Sequence, residues 1–328
     1  MTHADVLIVG AGPVGLYAAF YVALRGLSVR LVESRPEVGG QLSALYPEKF
    51  IYDAPGFPRV RAHELVESLR RQLHPFSPAL ELGALAMSLE LVTRGWQVTT
   101  WERTGERAYT AGAVILAAGI GALRPRVPDV AGVDLLGRVA LEWPGAVVSP
   151  GDRVLVSGGV PQATRAALDL HDQGARVTLA HKRALFRGTP EQLTRLQQLR
   201  EAGRLQVLAP SELLAFTPEG AELLFADARH ALTLDGALYL NGYLPDLQSL
   251  QGWPLEWQGD YISSGAGQST NLPGVFVAGD LSSSGGDLKL LAAGFAEAAV
   301  AANHAVHFVR PDLKVRPGHS SDKKLPTT

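Results

Sequence analysis

The first part of the chain alternates apolar runs with a glycine turn and a segment of small residues. Residues 5–9 are apolar after the initial aspartate, 10–15 are glycine-rich, and 16–24 are rich in leucine and alanine. Residues 27–32 are typical of a second strand, which ends at Glu33. Short apolar runs bounded by turns are typical of buried parallel strands, and the longer run between them is typical of a helix. The pattern predicts a strand, a helix and a second parallel strand.

The same arrangement recurs in the middle of the chain. An apolar strand at 153–156 leads through a turn at 157–163 into a helical segment that extends to Gln173, and the chain returns as a strand at 176–180. Two such units are the signature of a protein with two nucleotide-binding folds.

Further strands and a long helix complete the predicted elements. Alternation at 96–101 indicates a strand with one exposed face, whereas 114–119 and 275–278 are continuously apolar, as buried strands are. Residues 288–308 are alanine-rich and predict a long helix. The predicted fold class is α/β, with two Rossmann-like dinucleotide-binding domains, each a three-layer ββα arrangement.

Proline- and glycine-rich joints mark the predicted domain boundaries. They lie at 121–128 and 241–245 and bracket the second unit, as expected when one domain is inserted into another. We predict a first domain formed by residues 1–120 and 241–328, and an inserted domain formed by residues 121–240.

The amino-acid composition argues against several kinds of binding partner and reactive site. With 328 residues, 46% of them hydrophobic, the chain can bury two cores. A net charge of −2 argues against nucleic-acid partners and anionic membranes. The chain has no cysteine, which excludes disulfides, thiolate metal sites, iron–sulfur ligation and dithiol relays. The nine histidines are scattered, so no metal site is predicted.

The apolar N-terminal segment is not expected to be a signal or membrane helix. The glycine turn at 10–15 interrupts it, and no basic region precedes it. We therefore expect a cytoplasmic protein with no membrane partner.

The first glycine turn predicts a dinucleotide site. Gly10 permits a tight turn, Gly12 lets the backbone approach a pyrophosphate at the helix N-terminus, and Gly15 lets helix and strand pack closely. Glu33, about twenty residues later at a strand end, would accept a hydrogen bond from a ribose 2′-hydroxyl and repel a 2′-phosphate. The alternative is a helix-capping turn followed by a solvated glutamate.

The second turn departs from this pattern at its middle position. Gly158 and Ala163 occupy the outer positions, but Val160 replaces the middle glycine. A β-branched residue there tolerates positive φ poorly and is expected to weaken, displace or abolish dinucleotide binding. Gly159 beside it could let the turn shift by one residue, and Pro161 suits a first helical position.

Cations replace the acidic residue at the end of the second strand of this unit. His181, Lys182 and Arg183 follow that strand, with Arg187 close behind. Such cations suit a 2′-phosphate, which predicts NADP(H) rather than NAD. The alternative is a solvated basic loop.

Several segments resemble one known family. They are GGQLSALYPEK at 39–49, IYDAPGFP at 51–58, HKRALFR at 181–187, VAGD at 277–280 and PGHSS at 317–321. Together they resemble the thioredoxin-reductase-like ferredoxin/flavodoxin–NADP reductases, and the resemblance extends over nearly the whole chain.

The resemblance implies roles for individual residues. The residues that it implies around FAD are Gly10, Gly12, Pro13, Gly15, Glu33, Gly40, Gln41, Tyr46, Ala86, Leu123, Asp280, His319 and Ser321. Tyr46 and His319 would stack on opposite faces of the flavin, with Ser320 or Ser321 near its reactive edge. The residues that it implies around NADP(H) are Gly158, Gly159, Ala163, His181, Lys182, Arg183 and Arg187.

The resemblance also implies an activity. It indicates hydride transfer from NADPH to FAD and electron transfer to ferredoxin or flavodoxin, by a homodimer that needs no catalytic side chain because the flavin carries the chemistry. A low-molecular-weight disulfide reductase remains an alternative, as does a flavoprotein with a degenerate nicotinamide site that uses another donor or acts as a redox sensor.

Overall fold

The computed structural model describes residues 3–134, 139–143 and 148–322. Within these ranges the strands are β1 His3–Val9, β2 Val29–Glu33, β3 Phe50–Ile51, β4 Val60–Arg61, β5 Ala79–Leu82, β6 Leu85–Val92, β7 Gly95–Glu102, β8 Gly105–Leu116, β9 Ala122–Pro125, β10 Val139–Ala140, β11 Arg153–Ser157, β12 Arg176–Ala180, β13 Gln206–Leu208, β14 Ser211–Thr217, β15 Gly220–Phe225, β16 Ala228–Thr233, β17 Gly236–Tyr239, β18 Tyr243–Asp246, β19 Trp257–Gln258, β20 Tyr261–Ile262 and β21 Val275–Val277.

The α-helices in the same ranges are α1 Pro13–Leu24, α2 Gly40–Leu45, α3 Ala62–Leu73, α4 Pro161–Asp172, α5 Pro190–Glu201, α6 Gln248–Gln251 and α7 Leu291–Val309. None of these helices is long and apolar enough to cross a membrane. The chain divides into two compact units: the described parts of 1–123 and 245–328 form unit 1, and those of 124–244 form unit 2.

Unit 1 is organised around β8, which belongs to two layers. Its second half lies between β1 and β21 in a parallel sheet that continues through β2 to β5. Its first half pairs with β7, which pairs with β6, to form an antiparallel meander. One long strand therefore connects the nucleotide-binding sheet to the layer that covers it.

Alternation along β1 separates the two cores of unit 1. Val6 and Ile8 pack toward the helices α1, α3 and α7, whereas Leu7 and Val9 pack toward the meander. All of these side chains are buried because both faces of the parallel sheet are covered, which explains the absence of polar alternation in the sequence. Burying each such side chain contributes about 1.5–3 kcal/mol.

Unit 2 repeats the architecture. The parallel sheet has the order β10-β17-β11-β12-β13, and β14, β15 and β16 form a separate antiparallel sheet. Val154 and Val156 of β11 face the helices, whereas Leu155 faces the antiparallel sheet. The predicted fold class, two ββα Rossmann-like units, is confirmed.

Candidate cofactor sites

The first glycine turn has two positions where a side chain cannot fit. Gly10 has φ +103°, and a Cβ there would lie 2.5 Å from the Ala117 carbonyl oxygen. A Cβ on Gly15 would lie 2.0 Å from the carbonyl oxygen of Gly10. The absence of a side chain at both positions lets α1 pack closely against the ends of β1 and β8. Gly15 shapes the turn and does not line the cavity described below.

The N-terminus of α1 is built for an anion. Gly12 is the N-cap residue with φ −69° and ψ −179°, Pro13 occupies the first turn, and no side chain caps the helix. A Cβ on Gly12 would meet only Gly40 Cα, at 3.9 Å. Uncapped amide groups at the positive helix end next to open space are the features that bind phosphate groups.

Glu33 is fixed at the end of β2 beside this turn. Its side chain is buried and accepts hydrogen bonds from the Ala11 amide at 2.8 Å and the Arg35 amide at 2.9 Å. These bonds orient the carboxylate at the cavity wall, where it can accept from a ribose hydroxyl. The alternative of a solvated glutamate is excluded by this burial.

The opposite wall joins two distant segments. Gln41 donates from Nε2 to Asp280 Oδ2 at 2.9 Å, and the Gly279 amide donates to Glu297 Oε2 of α7 at 2.7 Å. Burial first, and then the nearby carboxylate of Asp280, raise the pKa of Tyr46. Tyr46 is therefore a neutral phenol that offers a hydroxyl and an aromatic face.

These features surround one cavity of about 350 Å³, a size typical of small-molecule sites, which span ~300–1,000 Å³. The predicted residues that line it are Gly10, Gly12, Pro13, Glu33, Gly40, Gln41, Tyr46, Ala86, Leu123 and Asp280. The sequence analysis missed Lys289, Leu290 and the backbone at 117–119, which also line it. No motif marks these positions, since only the fold brings them to the cavity.

The described part of the C-terminal tail, up to residue 322, does not line this cavity. His319, Ser320 and Ser321 are exposed and are not among the lining residues. Arg25, which ends α1, donates to the Lys314 carbonyl at 2.6 Å. The tail thus starts at the far end of α1, and this helix of 12 residues is about 18 Å long at 1.5 Å per residue.

The cavity of unit 1 fits FAD. The uncapped N-terminus of α1 would hold the pyrophosphate, and Glu33 would hold the adenosine ribose. Gln41 and Asp280 would bond to the polar chain between the phosphates and the flavin, and Tyr46 would offer its ring to the flavin.

The second glycine turn has equally strict outer positions. A Cβ on Gly158 would lie 2.0 Å from the Leu240 carbonyl oxygen and 3.2 Å from Ala163 Cβ. Ala163 is fully buried, so a small residue is required there as well. Helix α4 begins with Pro161, as α1 begins with Pro13, and neither helix has a side-chain cap.

Val160 causes no backbone strain, because its φ is negative and the poor tolerance of valine for positive φ does not apply here. It is the N-cap of α4 with φ −77° and ψ 160°, close to the conformation of Gly12 in unit 1. Its partly buried side chain packs against the helix-side core of unit 2. The turn therefore keeps its shape, and the valine changes only the volume beside the helix N-terminus.

The basic segment folds back onto this turn. The His181 ring lies against Gly159, where a Cβ would be 2.2 Å from His181 Nε2, and the Arg187 amide donates to the Gly159 carbonyl at 3.1 Å. Burial first, and then the charges of Arg183, Lys182 and Arg187, lower the pKa of His181. Lys182 and Arg183 are exposed beside it. Neutral His181 and these cations border the second turn, where a phosphate could bind.

No group of three or more histidine, aspartate or glutamate side chains in the described ranges is arranged to hold a metal ion.

Comparisons with known proteins agree with this architecture. A ferredoxin–NADP reductase of Thermus thermophilus is 45% identical over 99% of each chain, and one of Saccharopolyspora erythraea is 38% identical over 97% of each chain. In structure, the chain is similar to the bacillithiol disulfide reductase Bdr of Staphylococcus aureus, with a TM-score of 0.64, 17% identity, and coverage of 93% of this chain and 98% of that one.

The family model for pyridine nucleotide-disulphide oxidoreductases matches residues 4–305. The matched range includes both glycine turns and the segment that contributes Asp280. The chain therefore belongs to the pyridine nucleotide-disulphide oxidoreductase family, together with relatives named ferredoxin–NADP reductase.

Proposed function

We propose that this protein is an FAD-dependent oxidoreductase that passes electrons between NADPH and ferredoxin or flavodoxin. The main support for the proposal is that each unit has a helix N-terminus without a side-chain cap. The residues at the end of the next strand are acidic in unit 1 and basic in unit 2. Unit 1 has the buried carboxylate of Glu33, which suits a free ribose hydroxyl, and unit 2 has Lys182 and Arg183, which suit a 2′-phosphate. The two units thus select two different dinucleotides.

The absence of cysteine defines the route of the electrons. The chain contains no thiol that could relay electrons to a disulfide partner. A flavin held in unit 1 would supply both hydride transfer with a nicotinamide and single-electron transfer with a one-electron carrier. No acid, base or nucleophile of the chain is required; the protein's residues bind, orient and shield the cofactor.

The residues of unit 1 perform this orientation. Glu33 and the start of α1 fix the adenosine end, while the bonded pair of Gln41 and Asp280 fixes the opposite part of the cavity. Tyr46 is partly buried and neutral, and its ring would stack on one face of the flavin. In unit 2, the backbone from Gly158 to Val160 would receive the pyrophosphate of NADP(H).

We further propose a cytoplasmic homodimer in which the tail completes the flavin site of the second copy. The tail base is fixed to Arg25 at the end of α1 distant from the cavity, so His319 and Ser321 are displaced from the cavity of their own chain. A second copy would bring His319 to the flavin face that Tyr46 leaves open, with Ser320 or Ser321 near the flavin edge.

The first test identifies the electron donor and the electron acceptor in two separate assays. The purified flavoprotein is mixed anaerobically with NADPH, or with NADH, while absorbance at about 450 nm, where oxidised flavin absorbs, is followed. Ferredoxin-dependent reduction of cytochrome c is then measured with the effective donor. Rapid bleaching by NADPH and ferredoxin-dependent turnover support the proposal.

Other outcomes identify the alternatives. Bound FAD that neither nucleotide bleaches at millimolar concentration would refute NADPH as donor and favour a degenerate nicotinamide site. Bleaching by NADPH with turnover of a low-molecular-weight disulfide, but not of ferredoxin or flavodoxin, would favour a disulfide reductase.

A further inference from the structure

An exposed aromatic surface lies next to the cofactor cavity of unit 1. Strands β3 and β4 pair as a short hairpin, with Phe50 opposite Arg61. The loop between them exposes large rings: Tyr52 is 70% exposed, Phe50 42% and Phe57 39%. We call the residues 49–61 together with Lys289 the hairpin surface.

The hairpin is anchored, so its rings are held in place. Ile51, Ala54 and Val60 are buried in the helix-side core of unit 1. Because side chains alternate along a strand, burying Ile51 turns Phe50 and Tyr52 outward. The exposure of these rings therefore follows from a fixed backbone and not from a loose loop.

Cations surround the rings. The guanidinium of Arg59 lies 4.9 Å from the Phe50 ring centroid and that of Arg61 lies 5.4 Å from it. Lys49 lies 5.5 Å from the Tyr46 centroid. Lys289 is close by, with its ammonium bonded to the Ser282 carbonyl at 2.8 Å.

Two carboxylates partly offset this charge. Glu48 accepts from Arg61 at 2.8 Å and lies 3.7 Å from the His63 ring, and Asp53 accepts from the Leu291 amide at 3.4 Å. Glu48 thus compensates Arg61, whereas the side chains of the exposed Lys49 and Arg59 contact aromatic rings among the described residues. The outer edge of the surface is positive.

This surface is continuous with the wall of the cofactor cavity. A shallow depression is lined by Phe50, Tyr52 and Asp53 on the hairpin, and by Tyr46 and Lys289, which also line the cavity. A protein seated on the hairpin would therefore lie against the residues that enclose the proposed flavin site.

We propose that the hairpin surface docks the one-electron carrier, an acidic protein of the ferredoxin or flavodoxin type. This inference rests on the proposed function and adds the place of docking. Exposed aromatic residues and arginine are the residue types enriched at protein interfaces. The positive rim selects an acidic partner and speeds its approach by electrostatic attraction. The position beside the cavity places the carrier close to the proposed flavin.

The test reverses two charges on the rim. The double variant Lys49→Glu/Arg59→Glu is compared with Arg71→Glu/Arg94→Glu, which makes the same change in net charge at exposed positions of α3 and of the β6–β7 turn. The binding of an acidic ferredoxin to the oxidised flavoprotein is measured by calorimetry, and its KM is measured by cytochrome c reduction. Direct binding needs no NADPH, so it tests the docking surface separately from the proposed activity.

We expect the hairpin variant to raise the dissociation constant and KM for ferredoxin by about tenfold or more at low salt, and by less as salt screens the charges. Anaerobic bleaching by NADPH should equal that of the parent protein, and the control variant should change KM by less than about twofold. Equal effects of both variants would overturn the docking proposal while leaving the activity in place.

A second variant separates docking from self-association. Tyr52→Ala removes the most exposed ring of the hairpin without changing charge, and should weaken ferredoxin binding at every salt concentration. If either hairpin variant instead converts a dimer into monomers in size-exclusion chromatography, the surface is a contact between copies and the docking proposal is wrong. If the parent protein binds ferredoxin but NADPH does not bleach its flavin, the proposed function fails and the docking surface stands.

Discussion

Gln41 donates from Nε2 to Asp280 Oδ2 over 2.9 Å and thereby joins two residues that are 239 positions apart in the sequence. The first belongs to α2 and the second follows β21, and both line the cavity of unit 1. The neighbouring residue Gly279 is also fixed, because its amide donates a hydrogen bond to Glu297 of α7. The cavity wall therefore depends on the closure of unit 1 by its C-terminal part.

Replacing Asp280 should weaken flavin binding. In Asp280→Ala, the bond to Gln41 and the proposed bond to the cofactor are both lost. A hydrogen bond to a charged group contributes about 1.5–3 kcal/mol, so the affinity for FAD should fall by about 10- to 100-fold. Fluorescence titration of the deflavinated protein measures this constant. Asp287→Ala, which removes an exposed carboxylate nearby, is the control; equal affinities for both variants would contradict the assigned role.

Gly12 and Val160 give a paired prediction, because both are N-cap residues in the extended conformation. Gly12→Val is compatible with the backbone, but its side chain enters the space facing Gly40 and should lower FAD affinity by about 100-fold or more, as overpacking of a built site does. Val160→Gly should change the KM for NADPH by less than about threefold, since the valine packs against the core of unit 2.

Flavin titration of Gly12→Val and NADPH kinetics of Val160→Gly test whether a valine at this position obstructs a dinucleotide or only packs against the core. A large drop in the NADPH KM of Val160→Gly would show that the valine obstructs the nucleotide, as the sequence pattern suggested. Circular dichroism of both variants controls for loss of the fold.

Strict local patterns made the two glycine turns predictable from the sequence. A Cβ on Gly10, Gly15 or Gly158 would lie 2.0–2.5 Å from a backbone carbonyl oxygen, so these positions of a tight strand–helix turn require glycine. The apolar runs at 5–9 and 114–119 likewise predicted buried strands, and they match β1 and the last part of β8.

What could not be predicted depends on tertiary placement. The glycine pattern does not reveal that Val160 is an N-cap residue with an extended backbone, which a β-branched residue adopts without strain. Lys289 lines the cavity from the loop before α7, whereas the alanine-rich pattern placed it inside a helix at 288–308; the helix begins only at Leu291. His319 is exposed and Arg25 donates to the Lys314 carbonyl, and no sequence pattern reveals either placement.

Removing the cations of unit 2 should alter the choice between nicotinamide nucleotides. Lys182→Ala/Arg183→Ala should raise the KM for NADPH by about tenfold or more, because charge-assisted bonds to a phosphate are lost. The KM for NADH, which has no 2′-phosphate, should stay the same. Steady-state kinetics with both nucleotides measure the effect, and Arg200→Ala/Arg204→Ala removes two other exposed charges of unit 2 as a control. Parallel losses with NADH and NADPH would contradict a phosphate-binding role.

His181 should make the stability of the protein depend on pH. Burial and the neighbouring cations lower its pKa in the folded state below the ordinary value of 6.5. At pH values below about 6.5 the unfolded chain therefore binds a proton that the folded protein does not bind, and unfolding becomes more favourable. This loss grows as the pH falls from about 6.5 to the lowered folded pKa, and stays constant at still lower pH.

His181→Gln removes that proton equilibrium and tests its sign. The free energy of unfolding, measured by urea titration at several pH values between about 5 and 8, should fall less steeply toward acid in His181→Gln than in the parent protein. His74→Gln, which replaces an exposed histidine of unit 1, should keep the parent's slope. A steeper acid loss in His181→Gln than in the parent would show that protonation of His181 stabilises the fold, opposite to the direction argued from its burial.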